Sequence, residues 1–114
     1  MQARHKRLNS KYLTDADMLL RKGDYVQASE KYWGAVAQMI KLVAAKQGIE
    51  LGEHKALWTF MSELDKKYPD QNLWTLFEKA RLLHMNFYED EIPTERIKEY
   101  GEASRELIRQ LQSL

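Results

Sequence analysis

GDYVQASEKYWGAVAQMIKLVAAKQG, residues 23–48, has a glycine at each end and no proline between them. Inside it, Ser29, Tyr32, Trp33, Val36, Met39, Ile40, Val43 and Ala44 recur at three- and four-residue spacing. That period lines side chains along one stripe of an α-helix. Gln27, Glu30, Lys31, Gln38 and Lys41 fall largely off the stripe. Asp24 offers a side-chain oxygen to cap the first turn, and Gly48 is placed to stop the last. The spacing predicts one long helix from Asp24 to about Gln47.

The flanking chain reads the same way. A first helix runs from Asn9 or Ser10 to Lys22 on the stripe Leu13, Ala16, Leu19 and Leu20. After the short connection GIELGE, a third helix carries His54, Leu57, Trp58, Met61, Leu64 and Tyr68, and Pro69 ends it. A fourth follows Asp70 and aligns Leu73, Leu76, Phe77, Ala80, Leu83, His84, Phe87 and Tyr88. EDEIPTE (residues 89–95) stops it, with Thr94 the expected cap of a fifth helix through Ile97, Tyr100, Ser104, Leu107, Ile108 and Leu111. No segment alternates with period two, so no strand is expected. Short connections between amphipathic helices imply an all-α, antiparallel up-and-down bundle of about five helices. Residues 1–8 read as a flexible basic tail, and 9–114 as a single domain.

Bulk composition narrows the function classes. Lys and Arg number 18 against 17 Asp and Glu, so no global positive field gathers nucleic acid or anionic membrane. The absence of cysteine removes disulfides, thiolate nucleophiles and zinc-finger spacings. There is no secretory leader pattern and no apolar run long enough to span a bilayer, so a cytoplasmic location is expected. No phosphate loop, HExxH pair or nucleophile elbow occurs, and His5, His54 and His84 form no local metal cluster. Neither metal nor cofactor is expected. Gly23, Tyr25, Ala28, Tyr32 and Ala35 have tetratricopeptide offsets, but that repeat needs about three copies and the chain holds no second.

The remaining chemistry gathers around His84. Residues on a helix are separated by roughly 100°, so Arg81 and His84 lie about 60° apart, and Tyr88 sits one turn beyond His84. Lys79 and Asn86 fall about 140° and 160° away by the same count. An Arg–His–Tyr edge suits a phosphate, with Arg as fork donor and His as proton-transfer partner. The alternative is that His84 fills the core and bonds a neighbouring carbonyl or Tyr. If the third and fourth helices are antiparallel, His54 and His84 come to the same end and share a polar cleft. On the second helix, Trp33 and Lys41 lie on roughly one edge and offer a ring and a charge, unless Trp33 is simply core.

The residue 23–48 segment, His54, and LLHMNFYED (residues 82–90) together resemble the archaeal PaREP family of small helical proteins. That family in turn looks like HEPN domains, the nucleotide-binding helical modules of higher eukaryotes and prokaryotes. The likeness covers about Thr14 to Leu107 and implies a four- or five-helix bundle that forms a homodimer. In HEPN ribonuclease toxins an Arg, and a His four to six residues later, meet across the dimer to cleave RNA. A small nucleotidyltransferase is often the partner protein. By that resemblance His84 is the motif histidine and Tyr88 the tyrosine that follows it. Lys79 stands where the arginine belongs, while Arg81 is only three residues ahead.

Lysine lacks the planar fork of arginine, so this departure weakens a phosphate-cleaving site. The expected function is therefore non-catalytic binding of a nucleotide or nucleic-acid phosphate, within a toxin–antitoxin or defence setting. Its ligand residues are His84, Arg81, Tyr88, His54, Asn86, Trp33 and Lys41. One alternative is a metal-independent endoribonuclease using His84 with Lys79 or Arg81. Another is an interaction module without a ligand, its seam formed by Trp58, Phe60 or Trp74.

Overall fold

A computed structural model describes the backbone of residues 2–52 and 54–114, and their side chains except at Gln2 and His54. The described residues form five α-helices: α1 (Gln2–Lys22), α2 (Tyr25–Lys46), α3 (His54–Lys67), α4 (Leu73–Glu89) and α5 (Thr94–Gln112). A single 3-10 turn, Pro69–Gln71, joins α3 to α4. No strand occurs among the described residues. The all-α bundle expected from the sequence is the observed fold.

The punctuation works largely as the residue types dictate. Gly23 and Gly48 take φ values of +83° and +76°, left-handed conformations that cost glycine nothing. Asp24 caps α2 by accepting the amide of Gln27 at 3.3 Å. The start of α4 is capped by Asp65 of α3, whose carboxylate accepts the amide of Trp74 at 3.1 Å. Pro93, not Thr94, occupies the cap position of α5, because its carbonyl accepts the amides of Arg96 and Ile97.

The largest departure is at the start of the chain. Residues 2–8, expected as a flexible tail, continue α1 by two turns. Their sequence shows no apolar stripe, but two polar contacts hold this end against α2. Asn9, only 4% exposed, donates to the carbonyl of Ala35 at 2.7 Å, and His5 Nδ1 lies 2.6 Å from Gln38 Oε1.

Helix α2 is the axis of the molecule. Its short Gly23–Asp24 link folds α1 back along it, and Gly34 admits the ring of Tyr12 so closely that a Cβ there would sit 2.9 Å away. On the other side, Phe77 in the second turn of α4 meets Trp33, while Asn86 near its end meets Ser29, so α4 runs antiparallel to α2. Helices α3 and α4 are an antiparallel hairpin, with Trp58 over Phe77 and Asp65 at Trp74. The core between them is Val36, Ile40, Met61, Leu73, Phe77, Leu107 and Leu111.

Tyr32 ties three helices together. Its ring lies against Gly101 of α5, where a Cβ would approach within 3.0 Å. Its hydroxyl donates to Asp17 of α1 at 3.1 Å, and Asp17 also pairs with Arg105 of α5. Burial, with Asp17 next, raises the phenol pKa to about 12, while Arg105 acts in the opposite direction. A raised phenol pKa favours the neutral form in the fold. Its contribution is therefore complete below pH ~10, the unfolded value, and is lost as pH climbs through about 12. Urea titrations should show a loss on the order of 2 kcal/mol over that window, absent in Tyr32→Phe.

Candidate functional site

Residues 49–52, beyond the end of α2, come back beside Lys41, and Gly52 and Lys41 both line a cleft of about 340 Å³. Tyr12 of α1, Glu30, Trp33, Gln38 and Lys41 of α2, and His84 of α4 form its walls. The side chain of His84 keeps 19% of its surface open. The ring is therefore partly buried, yet it lines a solvent-connected polar cavity.

Glu30 holds that ring in place. Both carboxylate oxygens lie 3.1 Å from His84 Nδ1. A carboxylate only accepts, so Nδ1 carries the proton that it receives. The ring stacks on Trp33 at 5.1 Å with a 25° tilt, and Tyr88 meets it edge-on at 5.5 Å. Glu30 is the cleft residue beside His84 that sequence reasoning missed. It stands off the apolar stripe, and only its place one turn before Trp33, on the edge facing α4, hints at a role.

The predicted site residues separate into two groups. His84, Trp33 and Lys41 meet in the cleft, and Lys41 forms no ion pair among the described residues. Trp33 is 5% exposed and packed against His84 and Phe77, so it is a wall of the core and offers no open face for a base. Gly52 and Leu57, on either side of position 54, both line the cleft. The ring of His54 lies outside the described residues.

The second group lies away from the cleft. Arg81 turns toward α3, where its guanidinium sits 4.7 Å above the Trp58 ring and reaches Met85 Sδ at 3.2 Å. The Arg–His phosphate fork is thus not assembled: the indole face attracts the cation more closely than the cleft does. Lys79 points to α5 and pairs with Glu99 at 3.8 Å. Tyr88 is 72% exposed, and its ring meets those of His84 and Phe87 at close to right angles.

Asn86, expected as a ligand donor, is 2% exposed and structural. Its amide nitrogen donates to Ser29 Oγ at 3.2 Å, and its oxygen accepts the amide of Ile92 at 2.8 Å. It locks the α4–α5 connection onto α2.

Comparison with known proteins now adds a lineage. The archaeal PaREP1/PaREP8 family matches residues 4–108. The chain belongs to that family. A crystal structure of a Sulfolobus solfataricus protein superposes with a TM-score of 0.81 at 24% identity, covering 93% of this chain and 94% of that one. At that identity the likeness extends to the fold. No curated protein matches the chain. No described helix of this PaREP1/PaREP8 member is long and apolar enough to cross a membrane.

Asn86→Ala should test the structural assignment of that residue. It leaves the Ile92 amide without its acceptor and removes the donor to Ser29 Oγ, which keeps its bond to the Tyr25 carbonyl, at a cost of about 2 kcal/mol in urea-derived stability. A change below 0.5 kcal/mol would remove Asn86 from this role.

Proposed function

We propose that this PaREP1/PaREP8 protein is a HEPN-like binding module that holds a nucleotide or nucleic-acid phosphate in the cleft beside His84. The observation that carries the reading is the Glu30–His84 pair opening into a polar cavity with Lys41 at its wall. Lys31 and Lys41 against Glu30 give the lining a formal charge of +1 (two lysines minus one carboxylate, His neutral), with Lys31 already paired to Asp15 at 3.9 Å, so Lys41 supplies the attraction. A phosphate there is attracted by the ammonium of Lys41 and oriented by the imidazole, whose angle Glu30 sets. Tyr12 supplies aromatic surface, although the ammonium of Lys31 already sits 5.0 Å above its ring.

The HEPN likeness adds a homodimer and a nucleotidyltransferase partner to the proposal. Trp58, Met85 and Tyr88, exposed on the α3–α4 face, supply apolar surface for such contacts. The second reading, a metal-independent endoribonuclease, is favoured by one feature, the carboxylate-oriented histidine. Against it stand Lys79 and Arg81, both engaged elsewhere, which leaves His84 without the expected cation to stabilise a phosphorane.

Ring NMR with inorganic phosphate and AMP tests the site. The His84 signals should shift saturably, and Lys41→Ala should weaken AMP about tenfold, the cost of one charge-assisted contact. RNA incubated with the wild type and with His84→Ala should remain intact in both. Phosphate and AMP that leave the His84 signals unmoved would refute the binding reading, and cleavage lost with His84 would replace it by the nuclease.

A further inference from the structure

A second cavity, of about 480 Å³, lies at the other end of α2. Helices α1 and α5 both pack on α2, and between their ends they leave a groove. Its floor is Met39, Leu42 and Val43 of α2 with Leu111 of α5, and its rim carries Lys6 of α1 and Lys46 of α2. The uncharged polar side chains of Asn9, Ser10 and Gln112 also border it. No Asp or Glu lines it, and neither lysine forms an ion pair among the described residues. The cleft at His84 shares no residue with this groove.

The charge arrangement selects the occupant. An apolar floor under two exposed ammonium groups is complementary to a molecule with a hydrocarbon tail and an anionic head. Lysine stems extend the apolar wall while their heads stay in water. A cationic or zwitterionic amphiphile meets no carboxylate here, and a purely polar anion gains nothing from the floor. The volume falls within the range that holds small organic ligands. We propose that this groove is a second ligand site, for a single-chain anionic amphiphile such as a medium-chain fatty carboxylate. The two-turn extension of α1 creates the site, because Lys6 belongs to that extension.

Calorimetry below the micellar concentrations, with hexanoate, octanoate and decanoate, tests the assignment. Affinity should rise about fourfold for each added methylene. Decylammonium should bind at least tenfold more weakly than decanoate. The double variant Lys6→Gln, Lys46→Gln changes only exposed side chains, and it should lose at least tenfold for decanoate. The methyl signals of Met39, Val43 and Leu111 should move on binding while the His84 ring stays still. Affinity independent of chain length, equal binding of decylammonium, an unaffected double variant, or shifts centred on His84 would each overturn the proposal.

Discussion

Burial of α2 over more than half of its circumference is the constraint that organises this molecule. Ala35, Tyr32, Trp33 and Ala37 spread over roughly 200° of the helix surface at about 100° per residue, and each is at most 8% exposed. A helix covered this way leaves only a partly open strip, where Lys31 and Lys41 lie. Polar residues within or beside the buried arc therefore need partners within the protein. Ser29 bonds back to the carbonyl of Tyr25 and receives Asn86. Glu30 meets His84. Both partners lie late in α4, so satisfying α2 also fixes the register and direction of α4.

That constraint explains why the neighbours approach as they do. Alanines 28, 35 and 44 are fully buried and let adjoining backbones come near. Gly34 and Gly101 go further and admit whole tyrosine rings, Tyr12 from α1 and Tyr32 from α2 itself. An alanine at either position would gain helix propensity, about 1 kcal/mol, yet crowd an aromatic ring. At Gly101 the ring cannot easily yield, because its hydroxyl is tied to Asp17.

The helices could be read from the sequence because their stripes and stops agree. Gly23, Gly48, Pro69 and Pro93 each fall at a boundary, and the apolar period names most of the core between them. The extension of α1 was hidden, since residues 2–8 have no stripe and dock through His5 and Asn9 on polar partners. Left-handed Asn72 and Asp90, with φ of 55° and 49°, were equally silent. At the site, periodicity placed His84 correctly on the inward edge of its helix. It could not supply Glu30, 54 positions away in the chain, because only packing brings two helices into register.

Helix geometry also bears on whether the cleft cuts or holds. Lys79 and His84 are separated by about 140° around α4, and the structure uses that separation, with Lys79 on Glu99 of α5 and His84 on Glu30 of α2. One straight helix does not present both to one ligand. Arg81 is closer in angle, but the Trp58 ring takes its guanidinium toward α3. Within one chain the histidine therefore has a carboxylate and lysines as its charged company, and no arginine. Such a group suits retention of a phosphate better than expulsion of a leaving oxygen, because the cation that must meet the developing charge would have to come from a second subunit.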